Sequence, residues 1–386
     1  MADRHAVIAT RLFTGNAFAT DHAVLIEAGR VRDVVPAHDL AGGIVVDRLA
    51  DDLILAPGFI DVQVNGGGGV LFNDTPDLPT LRRIVRSHRR FGTTALLPTL
   101  ITDTDAKLRQ AVETLAAAMA NGEPGIVGLH LEGPFLNPER RGVHRADMIR
   151  AMSDEDVAYL CGNTPRPLML TLAPEMVSPD AIRRLTDAGI VLSIGHTDAT
   201  YEQARDAGAR GFTHLFNAMP PFAGRAPGPV GAALDNSQCY AGIIVDGHHV
   251  HPASLRIAMR ALKPERTMLV TDAMASVGAD IESFVLQGQR VAVRDGRLTT
   301  EDGTLAGAHL DMASAVRNTI SMLGASLADA LRMASATPAA FLRIDEHRGS
   351  LLPGRWADMV GLTDSVAVRA VWVAGVPALV GSEPAC

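Results

Sequence analysis

Cysteine is scarce. Cys161, Cys239 and Cys386 stand apart from one another, and no CxxC or Cys/His cluster accompanies them. This excludes a disulfide framework and a thiolate zinc site, and it fits a reduced, cytoplasmic setting. Long apolar runs are also missing, with none near the ~20 residues of a membrane-spanning helix. The opening MADRHAVIATRLFTG lacks the charged-then-apolar layout of a signal peptide. Positive charge is in deficit: the formal net charge is −8, which argues against a nucleic-acid surface. Only two of the 35 basic residues are lysine, Lys107 and Lys263, so arginine is the default cation and one Arg near a site is a weak pointer. No internal repeat is visible. No GxGxxG follows the first central strand, as a dinucleotide site would require.

What is present is a globular composition. The 386 residues are 47% apolar and 20% charged, enough for one large domain and a small one, or for two ordinary domains. Both ends of the chain read as β structure. VIATRLFTG, AVLIEAGRVRDVVP and IVVDRLADDLILAP alternate apolar and polar residues between Gly, Asp and Pro turns, and GRWADMVGLTD and VRAVWVAGVPAL do the same near the C-terminus. The two ends are expected to meet in one small domain, residues 1–56 and 349–386, with residues 57–348 inserted between them.

The inserted part alternates strand and helix. Eight short apolar runs are strand candidates: 58–66, 93–100, 125–133, 167–175, 190–197, 211–219, 241–247 and 267–274. Helical segments separate most of them, including TLRRIVRSHRRFG, DTDAKLRQAVETLAAAMANG and SPDAIRRLTDAG. Eight such units favour an α/β fold with a closed (β/α)₈ TIM-like barrel over an open sheet. After the eighth run, FVLQGQRVAVRDGRLTT reads as a β-hairpin insertion, and a helix-rich segment covers roughly 309–343.

Four of these runs carry a residue that can bind a metal or move a proton: Glu132 in GLHLEGPF, His196 in VLSIGHT, His214 in GFTHLFNAM and Asp272 in MLVTDAM. In a closed barrel the strand C-termini share one face, so these residues converge there. One carboxylate and two imidazoles match a catalytic divalent-metal site with an open position. Asp272 suits a general acid/base beside it; the competing readings are a further metal ligand or a helix N-cap. Residues two apart on a strand share a face, so His130 lies one layer below Glu132, as a buried neighbour rather than a ligand.

At these residues the sequence resembles the amidohydrolase superfamily, and within it the N-acetylglucosamine-6-phosphate deacetylase family. The matching segments are PGFIDVQVNGGGG, HLEGPFLNPERRGVH, GHTDAT, THLFNAMPPFAGRAPG, DGHHVHP, VTDAM and GTLAGA, in family order from about residue 56 to 308. The resemblance implies a β-sandwich built from the flanking β segments, metal ligands at Glu132, His196 and His214, and proton transfer by Asp272. It places His144 near the substrate's acetyl carbonyl, Asn217 and Ala218 against the sugar or phosphate, and Arg225 and His249 on the phosphate. In the family this last pair reaches across a homodimer interface. His248 is adjacent, but the Asp-Gly-x-His pattern favours His249.

Gln63 and Asn65 stand where many amidohydrolases carry His-x-His for a second metal. Neutral amides are poor Zn²⁺ ligands, so one divalent ion per subunit is expected, zinc first, with Fe, Co, Mn or Cd as the other candidates. The implied reaction is hydrolysis of N-acetyl-D-glucosamine 6-phosphate to D-glucosamine 6-phosphate and acetate, as in amino-sugar catabolism and cell-wall sugar recycling. The other readings are a deacetylase of another N-acetylhexosamine 6-phosphate, such as the galactosamine epimer, a cyclic-amide hydrolase or aminoacylase, and a non-enzymatic barrel relative. Strand four, PLMLTLAPE, has no lysine to carboxylate, which argues against the cyclic-amide class. Retention of all four chemistry-bearing residues argues against a non-enzymatic relative.

Overall fold

The computed structural model of the protein describes residues 4–380; residues 1–3 and 381–386, Cys386 among them, lie outside that range. Its centre is a barrel of eight parallel strands in sequence order: Phe59–Val64, Thr93–Ile101, Leu129–Glu132, Leu168–Leu172, Val191–Ile194, Gly211–Phe212, Tyr240–Ile243 and Thr267–Leu269. These strands are buried on both faces, which is why they read as apolar runs rather than alternations. The first and eighth strands close the ring through the parallel bridge Val64↔Ala273 and the bond from Asp272 N–H to the Gln63 carbonyl, 3.1 Å.

Helices pack outside, and their ends follow local sequence rules. Asp77 caps Leu78–Arg89 by accepting from the Thr80 N–H; Thr104 and Ser178 do the same for Asp105–Ala120 and Pro179–Asp187. Each cap satisfies an N–H that a helix start leaves unpaired.

The chain ends form one hydrogen-bonded sheet of eight strands. Five come from Arg4–Pro57, and Met359–Leu362, Val368–Val373 and Val376–Val380 complete it. The halves join where Ile54–Pro57 pairs antiparallel with Met359–Leu362.

Three expectations need correction. The run 211–219 is a strand only over Gly211–Phe212; His214, Phe216 and Ala218 have positive φ, so the chain turns away there. The run 267–274 likewise ends at Leu269, before Asp272. The insertion is not a hairpin but a three-stranded antiparallel sheet, Ser283–Leu286, Gln289–Arg294 and Arg297–Thr299, its last strand too short to read from sequence. The helix-rich segment that follows is three helices, Met312–Leu323, Leu327–Met333 and Ala336–Leu342.

Candidate metal and catalytic site

Glu132 is the last residue of the third barrel strand, while His196, His214 and Asp272 lie just past the fifth, sixth and eighth. The last three have φ of 49°, 30° and 50°. Positive φ is uncommon outside glycine and concentrates at functional sites. Here it turns each chain sharply at the barrel mouth and swings the side chain inward. All four residues are buried.

Their donor atoms form a tight triangle. His214 Nε2 lies 3.0 Å and His196 Nε2 3.2 Å from Glu132 Oε1, and the two Nε2 atoms are 3.1 Å apart. The Arg140 carbonyl, 2.8 Å from His196 Nδ1, accepts a hydrogen bond from that nitrogen, which keeps the proton on Nδ1 and leaves the Nε2 lone pair facing inward. A carboxylate oxygen and two imidazole nitrogens therefore crowd one point. Without a cation a proton must be shared among them. Burial alone would raise the Glu132 carboxyl, but hydrogen bonds from His196 and His214 hold it well below the usual carboxylate range. Burial opposes a charged His214, yet Glu132 raises its pKa. A divalent ion fits the same donor set. The 3.0–3.2 Å spacing is close to the ~3.3 Å edge of a tetrahedron with ~2.0–2.1 Å bonds.

Gln63 and Asn65 take a different part. The Gln63 amide donates to Glu132 Oε1 and to Asp272 Oδ1, both at 3.2 Å, and Asn65 donates to the same Asp272 oxygen at 2.7 Å. Burial and then the charge of Glu132 push Asp272 up to about 6. No helix follows Asp272 directly, so the N-cap reading fails. The His144 ring lies 4.4 Å from the His196 ring, tilted by 59°, and burial, followed by His196, lowers its pKa to about 3, so it is neutral. One donor atom each from Glu132, His144 and His196 also lie within 4.8 Å of one another, so His144 faces the same point. His130 sits beneath, enclosed by the Thr99 hydroxyl at 3.1 Å and the Thr171 hydroxyl at 2.8 Å; burial drops it to about 4.

Residues 54–378 match the Amidohydrolase family. The chain belongs to this family. An N-acetylgalactosamine-6-phosphate deacetylase of Shewanella sp. (strain ANA-3) is 45% identical over 332 residues, 85% of this chain and 84% of that protein. The N-acetylglucosamine-6-phosphate deacetylase of Haemophilus influenzae is 36% identical over 378 residues, 96% of this chain and 98% of that protein. The crystal structure of N-acetylglucosamine-6-phosphate deacetylase from Pasteurella multocida matches with a TM-score of 0.94 at 36% identity, over 97% of this chain and all of that one (100%).

The amidohydrolase site opens into a cavity of about 350 Å³. Asn65, Glu132, His144, His196, His214, Asn217, Ala218, His249 and Asp272 all line it. Asp246 holds His249 by accepting from its backbone N–H at 3.0 Å and, through the other oxygen, from Nδ1 at 2.6 Å, which leaves Nε2 for the cavity. His248 instead accepts from Arg297 Nε at 3.0 Å and lies outside the lining. Arg225 does not line the cavity of its own chain; it is exposed on the turn closed by the Ala223↔Ala226 bridge. Sequence reasoning gave no role to Arg140, Thr304 or Leu305, which the cavity also includes. The signal was present: Arg140 lies in the family-like segment ERRGVH, and Thr304 and Leu305 lie in GTLAGA.

Proposed function

We propose that the chain hydrolyses the acetamide of an N-acetylhexosamine 6-phosphate, N-acetyl-D-glucosamine 6-phosphate first, releasing acetate and the amino-sugar phosphate. The observation that carries this is the Glu132–His196–His214 triangle with Asp272 held beside it by two amide donors. Glu132, His196 and His214 would hold one divalent ion, with zinc the best match to one oxygen and two nitrogen donors. When bound, the ion supplies Lewis acidity and makes water acidic enough to ionise near neutral pH.

The chain's own residues do the rest. Asp272 takes the proton of the attacking water and passes it to the sugar nitrogen as the C–N bond breaks. One of its oxygens is fixed by Asn65 and Gln63, which leaves the other for proton transfer. His144, neutral, donates to the developing oxyanion, a contribution of roughly 3–4 kcal/mol for one well-placed donor. Asn217, Ala218 and His249 line the side of the cavity where the sugar and phosphate lie. Arg225 would complete the phosphate site from the partner subunit of a homodimer; its absence from its own cavity supports this. Arg suits phosphate because its charge is permanent and its fork planar. Two free cysteines without a disulfide and the absence of any helix able to cross a membrane among the described residues fit a cytoplasmic enzyme.

A second reading, the galactosamine epimer as substrate, draws support from the 45% identical Shewanella relative. Acetate release by zinc-loaded protein from both 6-phosphates and from the unphosphorylated sugars decides between them. The expected result is strong preference for a phosphate and about one metal per chain. Equal rates on phosphorylated and plain sugars would remove the phosphate assignment, and no release from any would remove the reading.

A further inference from the structure

The proposed oxyanion donor has a tautomer to choose, and the groups that choose it lie outside the cavity. The Thr102 backbone N–H donates to His144 Nδ1 at 3.4 Å, and the Thr102 hydroxyl, which can also donate to the Glu132 carbonyl at 3.4 Å, lies nearer to Nδ1, at 2.9 Å. A backbone N–H cannot accept. Nδ1 therefore carries a lone pair, and in a neutral imidazole the proton must sit on Nε2. Nε2 is the nitrogen left for the cavity that His144 lines.

Thr102 is itself held. It follows the second barrel strand and is 1% exposed. On one side it lies against Gly133, where an added Cβ would fall 2.2 Å from its hydroxyl oxygen. On the other, its carbonyl accepts from Gln287 Nε2 at 2.5 Å. Gln287 belongs to the three-stranded insertion, at the turn between Ser283–Leu286 and Gln289–Arg294, with φ of 48°. Its Oε1 is buried with no partner, so the amide is held through its Nε2 bond to Thr102.

We propose that Thr102 is a positioning residue that sets the Nε2–H tautomer of His144, and that Gln287 braces Thr102 from the insertion. This rests on the reading of His144 as the donor to the acetyl oxygen. The insertion then has a role in the chemistry, because it fixes the direction of a proton through the hydrogen-bond chain Gln287–Thr102–His144.

The test has two arms on zinc-loaded protein. Long-range ¹H–¹⁵N spectra, with the His144 signals assigned by their loss in His144→Gln, should show Nε2 protonated and Nδ1 bare. In steady-state acetate release, Thr102→Val should lower kcat about 10–100-fold, the scale of a misdirected acid–base group, with KM and metal content nearly unchanged. Thr102→Ser should restore most of kcat, and Gln287→Ala should lower it in the same direction but less. An Nδ1-protonated His144, a Thr102→Val variant with native kcat, or a Ser variant no better than Val would overturn the role of Thr102. Native kcat in Gln287→Ala would overturn the brace. If the native protein releases no acetate from either hexosamine phosphate, the functional reading has failed, and the spectra still decide the tautomer.

Discussion

Asn65 donates to Oδ1 of Asp272 at 2.7 Å, across the seam where the first and eighth barrel strands meet. In the proposed reaction, this amide therefore orients the group that transfers the proton. Gln63 adds a second donor to the same oxygen at 3.2 Å.

Removing that donor should show in turnover rather than binding. Asn65→Ala is expected to lower kcat roughly 10–100-fold, because small errors in a reacting group's position cost that much. KM and metal content should stay close to native. Steady-state kinetics with metal analysis checks this, and an unchanged kcat would free Asp272 from dependence on Asn65.

Restoring the histidines should change stoichiometry. The Gln63→His, Asn65→His double variant places two imidazoles beside Asp272, enough for a second divalent ion. About two metals per chain after exhaustive dialysis is the expected outcome, against about one in the native protein. One metal in both would mean that the seam lacks room or geometry for a second site.

The Asp272 carboxyl, raised to about 6 by burial and then by Glu132, must be ionised to accept a proton. A bound cation pulls it the other way. The acid limb of the kcat/KM profile should therefore lie at or below about 6, with activity falling tenfold per pH unit beyond it. A profile flat from about pH 8 down to about pH 4 would contradict a titrating Asp272.

Asp61 lies one layer below Gln63 and accepts from the Thr271 hydroxyl at 2.5 Å. Burial pushes its carboxyl up to about 7, far above the ~3.9 of an unfolded chain. The folded state thus holds a proton that the unfolded state has lost. The stability this contributes is complete below pH ~4 and disappears as pH rises through about 7. Metal-free native protein should lose more Tm between about pH 5 and about pH 8 than metal-free Asp61→Asn. Equal losses in calorimetry would show that Asp61 is not the titrating group.

Phosphate capture across a dimer can be tested by mixing defective chains. Arg225→Ala and Asp272→Asn should each be nearly inactive alone. In mixed dimers one cavity combines an intact Asp272 with the partner's intact Arg225, so activity should return on mixing. No recovery, with dimers confirmed by native mass spectrometry, would place Arg225 in its own chain's site or outside function.

The strands were legible because burial on both faces leaves an apolar run, and the convergence of the proposed site residues because Glu132, His196, His214 and Asp272 each sit in or directly after one. What the sequence hid depended on backbone reversal or on distant pairing. The chain leaves the sixth strand after Phe212 because His214 and Phe216 take positive φ, which no composition announces. Arg140 reaches the cavity from a loop whose carbonyl orients His196. The amides Gln63 and Asn65 read as a loss, since only the closed seam shows what they touch. Thr102 and Gln287 are 185 residues apart and meet only in the fold.

The pairing of Ile54–Pro57 with Met359–Leu362 bears on how the protein is made. During synthesis the early strand must wait, its apolar edge unpaired, while the whole barrel is translated. A chain released just short of Met359 would carry a finished reaction centre and an open sheet edge. Such a product would be open to aggregation and proteolysis at that edge, whatever the state of its chemistry.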